Sequence, residues 1–342
     1  MQVQGTKPLN SHVFDPMSKL MWRESSPDER LCRPRRRRVI GLLAGLPLAA
    51  VAGDAFAAGA LPIVRWRGSV LGADASLSVA SKDRDRAVAA MKEAVGELRR
   101  LETVFDLHNN TSPIHQLNKD GRLPAPPAEL VTVLHAALRL AKASQGAFDP
   151  TVQPLWRAFA DQTDIAAARA LVDWRQVSVA DDEITFQRAG MAVTLNGLAN
   201  GFLTDQAAIV LKKHGFANIL TNVGEFFGAG QPTDRRAWQI GIGDPLIDIA
   251  MLQERAIATS EPTALFADAG KQQSHILRPT VPGEPSPWAS VSVVAGSALI
   301  ADGASTAIAA AGKDQAQAIL RSVGARRAVL KGTDGEVLRL AG

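Results

Sequence analysis

Two glycines four residues apart, Gly197 and Gly201, stand where one hydrophobic rhythm changes into another. Before them, Met191-Ala192-Val193-Thr194-Leu195 alternates as a strand does. After them, Gln206 to Lys213 carries the spacing of an amphipathic helix. The stretch from Thr194 to Asp205 therefore predicts a tight strand-to-helix turn with little side-chain bulk. Glycine lets another backbone or a ligand come close there, and the amides of a helix start favour an anion such as phosphate. Alone, the pattern also fits a simple tight connection.

Upstream lies a segment with a different purpose. Arg35-Arg36-Arg37-Arg38 precedes an apolar run from Val39 to Ala52 and then Asp54-Ala55-Phe56-Ala57-Ala58. Basic, apolar and Ala-x-Ala parts in that order predict a signal peptide over residues 1–57, cleaved after Ala57. The apolar run is short and rich in Gly and Ala for a membrane span. Consecutive arginines before Val39-Ile40 resemble a twin-arginine signal, which exports folded proteins, so the product is expected in the periplasm. An ordinary secretory leader or an uncleaved anchor is the plainer alternative, and translation could begin at Met17 or Met21.

The leader holds 9 of the 38 Lys and Arg residues and 5 of the 34 Asp and Glu, leaving 29 of each beyond it. A formally neutral remainder removes the electrostatic support for nucleic-acid binding. The single cysteine, Cys32, also falls in the leader. The mature part therefore has no disulfide, thiolate nucleophile or Cys-ligated metal site, and is expected to be soluble once cleaved.

Residues 58–342 are expected to form one large domain or two intimate lobes. Strands are predicted on both sides of Gly72, at Val177–Val179 and Glu183–Phe186, at Ala217–Val223 and Trp238–Ile242, and at Ala256–Ser260 and Ala289–Val294. Helices are predicted over 84–105, 127–143, 165–172, 302–311 and 314–324, before a closing hairpin around Thr333-Asp334-Gly335. Strands and helices mix without a βαβ rhythm, so the class is α+β; neither a Rossmann glycine fingerprint nor a P-loop is present.

Four segments could carry chemistry. In Ala301-Asp302-Gly303-Ala304-Ser305-Thr306-Ala307, a helix beginning near Asp302 would put Asp302 and Thr306 on one face. A carboxylate and a hydroxyl there are hard oxygen ligands suited to Mg²⁺ rather than zinc. An N-cap Asp and a buried Thr are the plain alternative. In Ser274-His275-Ile276-Leu277-Arg278-Pro279, His275 stands at the start of an apolar strand and could move a proton near neutral pH, or serve only structure. Gly146-Ala147-Phe148-Asp149-Pro150-Thr151-Val152-Gln153-Pro154-Leu155-Trp156 is a rigid turn able to offer backbone and an aromatic face to a planar ligand, or simply a Gly C-cap and a Pro-stiffened loop. Phe105-Asp106-Leu107-His108, running to Leu117-Asn118, reads as a polar loop after a helix.

In order and spacing, these segments resemble one family, the FAD:protein FMN transferases or ApbE family, from about Val64 to Leu340. The Gly146–Val152 turn is similar to its Gly-x-Phe-Asp-Pro-Thr-Val. Asn218–Gly224 followed by Trp238–Pro245 resembles its glycine-ended strand and Trp-x-Ile-x-Ile-x-x-Pro strand. Ala258-Thr259-Ser260, Ser274–Pro279 and Ala301–Ala307 continue in the family's order. The resemblance implies a single large α+β domain of mixed, mainly antiparallel sheets with packed helices, related to the T-fold.

The implied activity is transfer of FMN from FAD, through phosphate, to a Ser or Thr hydroxyl of a partner protein, with release of AMP. The resemblance also assigns residues. Asp302 and Thr306, with the backbone carbonyl of Gly197, would hold Mg²⁺. His108, Ala147, Phe148, Asp149, Thr194, Asn200 and Ile276 would line the FAD site, and His275 would help deprotonate the incoming hydroxyl.

The chain departs from the family's usual residues at several points. The family commonly has Lys at the position of Asn200, Tyr at His108 and Asp at Arg278. Gly224-Glu225-Phe226 stands for Gly-Gly-Asp, and Thr259-Ser260-Glu261-Pro262 for Thr-Ser-Gly. An exported proteobacterial branch resembles this version more closely, and some of its members assist maturation of flavin-bearing membrane proteins in nitrous oxide respiration. The expected partners are FAD and an acceptor flavoprotein, in that branch a membrane-bound one. The other readings are a catalytically weak FAD-binding carrier and an FAD pyrophosphatase.

Overall fold

Residues 61–232, 236–262, 274–281 and 283–342 are described by the computed structural model; the expected leader, residues 1–57, lies outside them. The described chain begins with a hairpin in which β1 (Ile63–Val70) pairs antiparallel with β2 (Ala73–Ala80). Its turn residues, Leu71 and Gly72, both have positive φ, the geometry that matches the twist of a two-residue hairpin. Leucine tolerates that conformation poorly, and the Glu102 carboxylate holds it by accepting the Leu71 N–H at 2.7 Å.

Helix α1 (Arg84–Phe105) starts where the Asp83 carboxylate accepts the Arg86 N–H at 3.0 Å. It buries Ala87, Ala90, Met91, Ala94, Leu98 and Leu101 as one stripe. Next come α2 (Pro113–Asp120), β3 (Arg122–Pro124), α3 (Ala128–Ala143), α4 (Gln153–Asp161), α5 (Ile165–Arg169), β4 (Val177–Val179) and β5 (Glu183–Phe186). Strands β3, β5 and β4 form a small sheet in that order.

Helix α6 (Ala199–Lys213) leads into β6 (Ile219–Val223), β7 (Phe226–Ala229), β8 (Trp238–Ile242), β9 (Asp248–Leu252) and β10 (Arg255–Ser260). The chain closes with β11 (Trp288–Ala295), α7 (Ala298–Ala310), α8 (Ala316–Ser322), β12 (Arg327–Gly332) and β13 (Val337–Ala341).

The central sheet has eight strands in the order β1-β2-β6-β7-β10-β11-β12-β13, with every pairing antiparallel. The fold is thus α+β, as the mixed rhythm of the sequence predicts. Both faces of the sheet are covered, which is why β11 reads as an almost unbroken apolar run. Val291 and Val293 pack toward α1, α6 and α7 in the main core. Val294 points the other way, with Leu220, Ile257 and Val329, to Trp238, Ile240 and Leu252 of the β8–β9 hairpin.

Helices α6 and α7 approach so closely that backbone touches backbone. A Cβ added at Gly201 would lie 2.3 Å from the Ala298 carbonyl oxygen and 2.8 Å from Asp302 Cβ. Glycine at 201 is therefore a packing requirement.

Several local expectations change. Met191–Leu195 forms no strand: it runs beside Asn118, whose amide donates to the Val193 carbonyl at 2.8 Å and accepts the Val193 N–H at 2.6 Å. One side chain thereby takes the place of a neighbouring strand. The stretch after Asp149 is a 3₁₀ turn at Pro150–Val152 that runs into α4, with Pro150 and Pro154 in first-turn positions where a missing N–H costs nothing. The polar loop after Phe105 ends early, because Ser112 caps α2 by accepting the His115 N–H at 3.2 Å. Helix α7 begins at Ala298, not near Asp302, because Ser297 and Asp205 supply the cap.

Gly201→Ala is expected to destabilise the fold by about 3 kcal/mol through the α6–α7 clash. Gly96→Ala is the control: no atom lies within 4 Å of the added Cβ on α1, and a gain of about 1 kcal/mol is expected from helix propensity. Urea denaturation measures both.

Candidate active site

The two glycines of the α6 turn meet the two polar residues of α7 in matching register. Gly201 lies against Asp302, and Gly197 lies against Thr306, where an added Cβ would come within 3.0 Å of the hydroxyl oxygen. Asp302 and Thr306 share one face of α7, and that face is laid against the turn that opens α6, with Gly197 just before the helix and Gly201 in its first turn. The Gly201 N–H donates to Asp302 Oδ2 at 3.0 Å. The anion drawn to this helix start is therefore the protein's own carboxylate. In an uninterrupted helix that N–H would bond the Gly197 carbonyl. Its diversion leaves that carbonyl with no backbone donor among the described residues.

Further oxygens gather around the pair. Ser260 Oγ, at the end of β10, lies 2.8 Å from Ser305 Oγ and 3.3 Å from Thr306 Oγ1. Glu225, just before β7, accepts the Thr259 N–H at 3.2 Å. Asp205 accepts the Ala298 and Leu299 N–H groups at 2.8 and 3.0 Å, capping α7. Burial pushes Asp205 up to about 6, against the pull of those two bonds. Burial, with the nearby Asp205 charge, pushes Asp302 up to about 7. Glu225 is raised well above its ordinary value by desolvation and by the Asp302 charge.

Glu225, Ser260 and Asp205 were not singled out as site residues in the sequence. Their signal is faint: a lone acid between Val223 and Phe226-Phe227, a serine at a strand end, and an acid inside a helical stretch. Asn200 sits in the first turn of α6. It packs on Gly224, whose φ of +88° and whose near contact with Asn200 Nδ2, 3.1 Å from a built Cβ, both call for glycine.

His275 does not begin a strand. Ser274–Pro279 is irregular, held by the His275 N–H to the Pro262 carbonyl at 3.0 Å and by Ser274 Oγ bridging the N–H and C=O of Ile276. The imidazole Nδ1 is buried and has no hydrogen-bond partner among the described residues. Burial lowers the His275 pKa, so the ring is neutral at physiological pH. Ile276 packs on the main core.

Arg278, the residue standing for the family's Asp, now has a structural explanation. Its guanidinium donates to the Ala310 carbonyl at 3.0 Å, the last residue of α7, and to the Pro285 carbonyl at 2.9 Å. A cation at a helix C-terminus is favourable, and here it ties the histidine segment to the helix bearing Asp302.

The Gly146–Asp149 turn joins the same region through the backbone. Thr194 N–H donates to the Pro150 carbonyl at 2.8 Å, and a Cβ on Gly146 would sit 3.9 Å from Thr280. A cavity of about 340 Å³ opens beside it, lined by Gly146, Asp149, Trp174, Pro279 and Thr280 among others. Ala147, Phe148 and Asp149 are buried. The Asp149 carboxylate accepts Thr151 N–H and Oγ1 at 2.8 and 2.6 Å and Trp174 N–H at 3.1 Å, so the side chain shapes the turn and leaves backbone for any ligand. His108 is exposed on the loop after α1, its N–H held by Asp106 at 2.8 Å. No hydrogen bond among the described residues joins it to the α6–α7 cluster.

A family model described as the ApbE family matches residues 71–330. The chain is 28% identical over 236 residues to an FAD:protein FMN transferase of Vibrio cholerae, covering 63% of this chain and 67% of that protein. It is 27% identical over 292 residues to the FAD:protein FMN transferase of Salmonella typhimurium, covering 76% and 79%. Among solved structures, the apo flavinyl transferase ApbE of Pseudomonas stutzeri superposes with a TM-score of 0.70 at 24% identity, covering 82% of this chain and 96% of that one. The flavin transferase ApbE of Vibrio cholerae gives 0.72 at 21%, covering 82% and 97%. At these identities the superpositions show the fold alone.

The buried carboxyls make a pH prediction. Asp302 and Asp205 hold their protons more tightly folded than unfolded, so the stability they contribute is complete below pH 3.8 and is lost as pH rises through about 6 and about 7. Asp302→Asn keeps an acceptor for the Gly201 N–H and removes one ionisation. In EDTA its Tm should fall less than that of the parent between about pH 4 and about pH 8; equal slopes would exclude Asp302 as the titrating group.

Proposed function

This chain belongs to the ApbE family, and from that premise we propose that it is an exported, Mg²⁺-dependent enzyme that transfers FMN from FAD to a Ser or Thr hydroxyl of a partner protein. The observation that supports this reading most directly is the register of Gly197 and Gly201 against Thr306 and Asp302. Export rests on the leader read in residues 1–57, and places the reaction in the periplasm.

The donor set suits a hard cation. Among the described residues, no three His, Cys, Asp or Glu side chains gather into a metal cluster. The α6–α7 contact instead offers the Asp302 carboxylate, the Thr306 hydroxyl and the Gly197 carbonyl left without a backbone donor. One carboxylate with neutral oxygens is how proteins commonly hold Mg²⁺, which fills its shell with water and substrate phosphate. When bound, the ion would neutralise charge on the pyrophosphate of FAD.

The remaining roles fall to the chain itself. The buried backbone of Ala147, Phe148 and Asp149, with Thr194, Asn200, Ile276 and His108, would line the FAD site. Asn200 can donate a hydrogen bond to phosphate where a lysine would supply a cation. His275, neutral and anchored through its main chain, would take the proton from the incoming hydroxyl. That oxygen then bonds to the FMN phosphorus, and the phosphoanhydride bond to AMP breaks. Positioning and charge stabilisation account for most of the rate in such a transfer.

The test is to incubate the protein with FAD, Mg²⁺ and a threonine-bearing acceptor domain, then weigh the acceptor by mass spectrometry. A mass gain of one FMN on the acceptor is expected. FAD bound but unconsumed would favour a flavin carrier, and FMN plus AMP without labelling would favour a pyrophosphatase. Asp302→Ala should abolish transfer and weaken Mg²⁺ binding; unchanged activity would remove the metal assignment. His275→Ala should slow transfer by about a hundredfold or more with FAD still bound, and loss of FAD binding would make the residue structural.

A further inference from the structure

The far face of the central sheet carries a second surface feature, independent of the reading above. A groove of about 780 Å³ runs between the β8–β9 hairpin and the ends of β10, β11 and β12. Its wall includes four arginines, Arg236, Arg255, Arg326 and Arg327, and no Asp or Glu among the described lining residues. The chain beyond the leader carries equal numbers of basic and acidic residues, so this is a local concentration of charge. Of the nearby acids, one pairs with a groove arginine and one with a lysine outside the groove. Asp248 pairs with Arg327 at 2.7 Å and lies 3.6 Å from Arg339, and Glu254 pairs with Lys212 at 2.5 Å. Arg327 is thus compensated and buttresses β9 through the Ile249 carbonyl at 2.8 Å. Arg326 is exposed and Arg255 half-exposed; Arg255 is steadied by a 2.7 Å bond to the Glu254 carbonyl.

We propose that this groove docks an extended acidic peptide segment of a protein partner. Three features select that occupant. Guanidinium groups match carboxylates in a forked, two-bond geometry that lysine lacks, and all four cations here are arginine. Gln239 and Gln253 bring amides to the wall, each able to donate to and accept from a peptide backbone. Met251, 50% exposed beside Gln239 across the hairpin, adds a flexible apolar contact. The surface is concave, so a flat anionic bilayer would reach its rim and not its floor. The groove lies on the opposite side of the sheet from α6 and α7, so an occupant would leave the α6–α7 cluster open.

The experiment is fluorescence anisotropy of a fluorescein-labelled glutamate decapeptide against the full chain and its Arg255→Gln/Arg326→Gln variant. The basic leader is common to both proteins, so the difference between them reports the groove. Affinity should fall about tenfold or more in the variant and weaken with salt in the parent. Arg99→Gln on α1, an exposed control, should bind as the parent does. Equal affinity of parent and groove variant overturns the proposal, provided both melt alike by circular dichroism. If the variant does not melt like the parent, the single Arg326→Gln change, at an exposed site, is read in its place by the same criterion. Arg255- and Arg326-dependent binding to phosphatidylglycerol vesicles, without peptide binding, overturns it in favour of a membrane surface.

Discussion

Helices α6 and α7 hold each other's ends. Asp205 of α6 accepts the first N–H groups of α7, and Asp302 of α7 accepts an N–H from the first turn of α6. Each carboxylate sits where helix dipoles favour negative charge, which offsets part of the cost of burial. The exchange works only with Gly201 at the crossing, since any Cβ there meets the Ala298 carbonyl. It also diverts the N–H that would have bonded the Gly197 carbonyl, which is left with no backbone donor among the described residues. One packing constraint therefore creates the donor set on which the proposed chemistry depends.

Other elements are placed relative to that contact. Thr204 of α6 accepts the Val223 N–H at 3.1 Å and donates to the Glu225 carbonyl at 3.2 Å, fixing the β6–β7 turn that carries Gly224 and Glu225. Arg278 secures the His275 segment to the far end of α7. The histidine and the carboxylate, distant in sequence, are thus referred to the same helix.

The central sheet divides the molecule into two packed faces. Its helix-covered face bears the α6–α7 cluster, and its hairpin-covered face bears the arginine groove. Adjacent residues of β11 face opposite cores, so a change at Val293 or Val294 would disturb one side before the other.

Sequence periodicity alone determined the α+β class, the span of α1, the paired strands around Gly72 and the closing hairpin, because each depends on spacing within one segment. The i, i+4 relation of Asp302 and Thr306, and of the two glycines, was legible for the same reason. Only the tertiary structure decided that these two pairs face each other and that Asp205, Glu225 and Ser260 join them. It also decided that Met191–Leu195 would bond to a side-chain amide and not to a strand, and that His275 would leave the sheet. Those outcomes turn on which distant group satisfies a buried backbone N–H or carbonyl. Local rhythm shows that such a group must be satisfied, and long-range packing selects its partner.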